Sequence, residues 1–213
     1  MSSSTPDFAA FRREKQQNAD ENLIKLLTDF EQWLGPNTNL REKVRAKHIF
    51  AEKVKINVDE VDQPGWSVFF EDWFAFDYIT VIGTHLFDMF IKKQADKLSA
   101  PELQLAGLVM TSVLEPLQIK ENHDQLLETE SLQSGERKTV SLLPKSMFSI
   151  DVKEEWLLVR SVYCGFQHRI ISNPAPLELT DFILPLTPPL ETERSRQLTS
   201  MKEHGLLWLR QKK

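Results

Sequence analysis

Between Phe69 and Tyr78 the chain places six aromatic rings and three carboxylates within ten residues, and a segment of that kind constrains everything packed around it. Trp66, Phe70, Trp73 and Phe76 follow helical spacing, whereas Phe69, Phe74 and Tyr78 fall on other faces. A helix that is apolar nearly all round belongs at the centre of its domain. Trp73, Phe74, Phe76 and Tyr78 are therefore predicted to be structural, with the other helices arranged about them.

The flanking sequence is helical up to about residue 114. Asp7 is a good N-cap for a helix from Phe8 to Leu34, in which Leu23, Leu27, Phe30 and Leu34 form one face. Gly35-Pro36-Asn37 ends it, and Leu40, Val44, His48 and Ala51 suggest a second helix reaching Val54. Beyond the aromatic run, Gly83-Thr84 offers the cap for a short helix through Leu86, Phe87, Phe90 and Ile91. Ser99-Ala100-Pro101-Glu102 matches a capping box, followed by Leu103, Ala106, Met110 and Val113 as the inward stripe.

At Glu115-Pro116 the period changes from helical to alternating. Leu117 to Glu121, Gln125 to Ser131, Lys138 to Leu142, Trp156 to Val162 and Phe166 to Ile171 are predicted strands, the last two forming a hairpin across Tyr163-Cys164-Gly165. Five short strands point to a small barrel or a highly curved sheet. Pro174, Pro176, Pro185, Pro188 and Pro189 then make an extended connector, and a helix is expected from Glu191 to about Arg210 with Leu198, Met201, Gly205 and Trp208 or Leu209 inward. The expected architecture is α+β: a helical region (1–114), a small antiparallel β-barrel-like module (115–179), and a connector with a C-terminal helix packing back (180–213).

Composition narrows the chemistry. No stretch reaches the roughly 18 uninterrupted apolar residues of a membrane span, and Met1-Ser2-Ser3-Ser4-Thr5-Pro6 has no apolar signal-peptide core, so a cytoplasmic address without membrane attachment is expected. Cys164 is the only cysteine, which closes both an intrachain disulfide and a thiolate zinc site. The net charge of -5 disfavours broad attraction to nucleic acid. With 7 glycines and no phosphate-cradling loop, nucleotide chemistry has no visible seat.

Four groups of residues are candidates for function. Glu71, Asp72 and Asp77 could hold a divalent cation or act as general acid and base in a metal-dependent hydrolase. Against that, residues 72 and 77 lie about 140° apart on a helix, and the three serve equally as helix-terminal charges and turn caps. His48, His85, His123, His168 and His204 form no ligand spacing and read as ordinary histidines. Cys164 lacks a neighbouring base that would generate its thiolate. In the hairpin, Arg160, His168 and Arg169 lie close to Tyr163 and Phe166, a grouping that could bind a protein or nucleic acid. Alternation sets Arg160 on one face with Leu158 and Val162, so it must reach past apolar neighbours or be paired.

The run Phe70 to Tyr78 resembles the F-x-D-W-F-x-F-D-Y segment of bacterial proteins that often end in a SEC-C zinc motif. The resemblance extends from about Trp66 to Leu179: Gly83-Thr84-His85 and Ser99-Ala100-Pro101-Glu102 stand at the starts of two further helices. Ser131-Leu132-Gln133-Ser134-Gly135 is similar to a D-L-L-T-G turn, and Ser146 to Arg160 to an S-x-x-L-K-P-G-D-x-L-L-A-R strand. The zinc-binding SEC-C tail has no counterpart, so no metal or cofactor is expected. The resemblance implies a non-enzymatic binding or adaptor protein with a macromolecular partner, preferentially a protein.

Overall fold

A computed structural model of the chain describes residues 7–123, 126–144, 150, 155–179 and 200–212. The first helix, α1 (Phe8–Asn37), starts where Asp7 accepts hydrogen bonds from the Ala9 and Ala10 amides, both at 3.0 Å. It presents Leu23, Leu26, Phe30 and Trp33 inward and ends just past Pro36. α2 (Leu40–Val54) is capped by Asn39 and terminates at Lys55, whose φ of 67° turns the chain out of the helix. Its buried face is Ala46, Phe50, Ala51 and Val54. The expected face is corrected here: Leu40 is 76 % exposed and Val44 48 %. The ring of Phe50 offers more surface for burial than either, and it sets the rotation of the helix.

α3 (Pro64–Phe76) is the aromatic helix, entered through a proline whose missing N–H is not needed in the first turn. Trp73, Phe74, Phe76 and Tyr78 are all buried, as is Phe70. Trp73 lies 5.7 Å from Phe50 and 5.4 Å from Tyr78, ring centre to ring centre, while Phe76 meets Phe30 at 5.6 Å and Phe87 at 5.4 Å. The helix thus contributes to two aromatic clusters, Phe76 with Phe30 of α1 and Phe87, and Phe70, Trp73 and Phe74, together with Tyr78 just beyond its end, with Phe50 of α2. α4 (Leu86–Gln94) begins after His85, not at Thr84, because Thr80 and Thr84 bond to each other in the preceding turn. α5 (Ala100–Thr111) has the expected Ser99–Glu102 capping box. Glu102, Leu105, Ala106 and Val109 are its buried residues, and Leu103 is exposed.

Six strands follow: β1 (Leu114–His123), β2 (Leu126–Ser131), β3 (Arg137–Leu142), β4 (Trp156–Cys164), β5 (Gln167–Ile170) and β6 (Ala175–Leu177). β1 pairs with β2, β2 with β3, β3 with β5, β5 with β4, and β4 with β1, which closes a five-stranded barrel. All of these pairings are antiparallel except β3 with β5. β6 adds to β4 at the edge, with Pro176 opposite Leu157. The connector expected at these prolines thus begins as a short strand: on its outer side β6 meets the chain only through the Leu177–Lys212 bridge and the Glu178 N–H to the Gln211 carbonyl among the described residues, so the missing N–H of Pro176 is tolerated. Leu117, Leu127, Val140, Leu157, Val159 and Ile170 fill the barrel. Leu158, Val162 and Cys164, on the alternate side of β4, join the core formed by the helices. The outer face of β4 therefore packs into the helical core, while the barrel interior forms a second core of its own.

The chain closes with a helix over 200–204 and a 3-10 turn, Gly205–Gln211, that buries Leu206, Trp208 and Leu209. Gly205 lies where an added Cβ would come within 2.8 Å of the Leu114 carbonyl oxygen, so only glycine lets this segment approach β1. Pro185, Pro188, Pro189 and Leu198, and the start of the expected C-terminal helix, lie outside the described residues. Among those residues no helix is long and apolar enough to cross a membrane.

Candidate functional site

The residues singled out for chemistry are used mainly to attach the barrel to the helices. Arg160 is completely buried. Its Nη2 donates to Asp77 Oδ2 at 2.5 Å and to Asp72 Oδ2 at 3.2 Å, its Nη1 donates to the Ser112 carbonyl at 3.0 Å, and the guanidinium lies 5.1 Å from the centre of the Phe76 ring. Asp72 and Asp77 do converge, contrary to the helical-wheel reading. Asp77 is the residue after the last turn of α3, and its φ of -121° and ψ of -18° break the helical projection. Burial raises the Asp72 carboxyl, with Arg160 opposing and Asp77 reinforcing the shift. Two buried carboxylates hold the Arg160 guanidinium above its ordinary value despite burial, so it remains charged.

Glu71 points elsewhere and pairs with Lys43 at 2.7 Å. The hydrolase reading thereby loses its ligand set: two of its carboxylates are taken up by a buried arginine and the third lies on another face. The hairpin reading is corrected as well. Arg160 has no exposed surface to offer, and Arg169 forms a bidentate pair with Asp20 of α1 at 2.9 and 2.6 Å while donating to Ser141 Oγ at 2.5 Å. The two arginines do not share an anion; each meets a carboxylate from a different helix. His168 is half-buried with its ring edge against Tyr163 at 5.2 Å. Burial and the neighbouring Lys138 lower its basicity. Lys138 itself pairs with Glu115 and donates to Ser161 Oγ at 3.2 Å, forming a polar cluster at one end of the barrel.

Cys164 is buried, and its thiol is pushed up to about 12 by burial and by Asp20, so it is no nucleophile at neutral pH. At the tip of β1 and β2 the ligand atoms of Glu121, His123 and Glu128 lie within 4.8 Å of one another, all three exposed. His123 Nε2 sits 2.9 Å from Glu121. That solvated hydrogen bond accounts for the imidazole, and exposed carboxylates in this arrangement need no metal.

A further exposed surface lies where α1 crosses the β4–β5 turn. The Gln16 carboxamide closes the contact: Nε2 donates to the Cys164 carbonyl at 3.0 Å and to Asp20 Oδ1 at 2.9 Å, and Oε1 accepts from the Phe166 amide at 2.8 Å. Gly165 has a φ of +64°, and a Cβ there would lie 2.7 Å from Gln16 Oε1. Beside this joint runs a groove of about 700 Å³ bounded by Arg12, Arg13, Gln17, Ile24, Pro144 and Phe166. Arg12 stacks on Phe166 at 5.6 Å. Neither Arg12 nor Arg13 has an ion-pair partner among the described residues. One turn earlier, Phe8 is 71 % and Phe11 53 % exposed.

Arg12, Arg13 and Phe166 went unrecognised as a group in the sequence. The available signal was Phe8-Ala9-Ala10-Phe11-Arg12-Arg13, aromatic and basic residues adjacent at a helix start with no apolar stripe continuing to meet them. Phe166 lies 150 residues from its Gln16 partner, and nothing local connects the two. Comparison with protein-family models, with curated proteins and with solved structures finds no match for the chain.

Proposed function

We propose that the protein is a non-enzymatic binding or adaptor protein, of the kind implied by its resemblance to SEC-C-associated bacterial proteins, acting in the cytoplasm on a protein partner. The observation that carries the reading is the groove between α1 and the β4–β5 turn. It brings two arginines that have no ion-pair partner among the described residues and a half-exposed aromatic ring to a surface joined by the Gln16 and Asp20 hydrogen bonds. Arginine and aromatic side chains are the types that concentrate binding energy at interfaces. Of the carboxylates that would have suggested catalysis, Asp72 and Asp77 hold the barrel to the helices and Glu71 pairs with Lys43 of α2.

Nucleic acid is the weaker reading. Five-stranded Greek-key barrels that bind oligonucleotides use the face of strands 2 and 3. Here the exposed positions of β2 and β3 are Glu128, Arg137 and Thr139, and Arg137 is paired with Glu130, which leaves phosphate little to bind. A photo-crosslinking amino acid at position 166, with the same label at position 128 as control, tests the proposal. The expected result is a discrete protein adduct from 166 alone, lost in Arg12→Glu/Arg13→Glu protein that melts normally. Equal adducts from both positions would overturn it.

A further inference from the structure

Resting on that reading, we infer that the groove takes an extended protein segment with a charge order: carboxylates at one end, an apolar side chain in the middle, and a neutral or basic residue at the other end. From Arg12 to Ile24 the helix rises about 18 Å, the length of about five extended residues. Along that length the lining changes character. Arg12 and Arg13 stand at the first end; Phe166 follows, its ring under Arg12 and its amide on Gln16, whose carboxamide is already engaged; Asp20 and Glu21 stand at the second end. Asp20 is neutralised by Arg169, and among the described residues Glu21 accepts from Gln17, at 2.9 Å, with no cation paired to it. The second end therefore repels an acid, while the first end attracts one.

This polarity separates a protein segment from a nucleic acid strand. A run of evenly spaced phosphates would meet Arg12 and Arg13 favourably and then Glu21 unfavourably, whereas a peptide can change charge within one residue. The apolar middle matches Phe166, which is 50 % exposed and whose backbone N–H donates to Gln16 Oε1. The flat underside left by Arg12 stacking on that ring keeps the cation at the groove mouth, where it can pair with a carboxylate bidentately.

The test uses the full-length protein and three fluorescein-labelled peptides read by anisotropy: Glu-Glu-Leu-Phe-Gln-Lys, its Gln-Gln-Leu-Phe-Gln-Gln counterpart, and Lys-Lys-Leu-Phe-Gln-Glu. Wild-type protein is expected to bind the first most tightly, with affinity falling as salt rises. Arg12→Glu/Arg13→Glu should weaken it about tenfold and bring the third peptide up to comparable affinity, circular dichroism remaining unchanged. Equal affinity for the acidic and neutral peptides would overturn the charge order while leaving a protein-binding groove. Failure of all three peptides while position 166 still crosslinks a protein would do the same. Tighter binding of a single-stranded oligonucleotide that displaces the first peptide would replace the inference with a nucleic-acid site.

Discussion

Arg160 carries more of the structure than any other single residue. It lies at full burial between two carboxylates, and removing it would strand both in a low-dielectric interior. Arg160→Met is expected to cost about 3–5 kcal/mol in urea unfolding. Arg160→Lys should recover little, because one ammonium cannot reproduce the fork that reaches Asp72, Asp77 and the Ser112 carbonyl together. A stability within about 1 kcal/mol of wild type for the methionine variant would show that the pair is dispensable. Glu102 makes a pH-dependent prediction. Burial raises its carboxyl, but the Lys25 and Ser99 hydrogen bonds prevail and hold it at about 2, below the ordinary 4.5. The folded state thus binds this proton less readily than the unfolded chain. Its contribution is complete above pH 4.5 and is lost as pH falls towards 2. Glu102→Gln should flatten the acid limb of the stability profile in that window; an unchanged limb would assign acid sensitivity to other carboxylates.

At the scale of elements, the aromatic helix is where sequence and structure agree most closely. Its composition demanded a central position, and Trp73 is 3 % exposed against rings from α2 and from its own C-terminal end. Trp73→Ala is expected to lower stability by about 3–5 kcal/mol, and a near-wild-type melting temperature would contradict the central placement. The α5 capping box and the alternation of β4 were equally legible, because both are set by neighbours within a few residues. The face of α2 was not: Leu40–Val44 and Ala46–Phe50–Val54 are both spaced by four, and only the position of α3 decides between them. The Arg160 cluster was half legible. Alternation required a partner for a charged residue among apolar ones, but its partners lie 83 and 88 residues away, one of them beyond the helix that local spacing assumes. The barrel closure through β1 and β4 was hidden for the same reason.

The whole molecule is held by contacts that cross between helices and barrel: Asp72 and Asp77 with Arg160, Asp20 with Arg169, and a core to which both regions contribute. Unfolding should therefore be a single transition, with tryptophan fluorescence and far-ultraviolet circular dichroism giving the same midpoint. Two separated midpoints would show the barrel unfolding on its own. With both joints closed, the first turns of α1 extend beyond them, with Phe8 and Phe11 exposed and Arg12 and Arg13 without an ion-pair partner among the described residues. Hydrogen–deuterium exchange of the full-length protein, free and bound to the partner trapped from position 166, tests directly whether this is the working surface. The account predicts slowed exchange along the first half of α1 and across the β4–β5 turn, with the outer face of β1 and β2 unchanged. Slowed exchange confined to the barrel ladder or to the turn carrying Val81 and Ile82, with α1 unaffected, would contradict it.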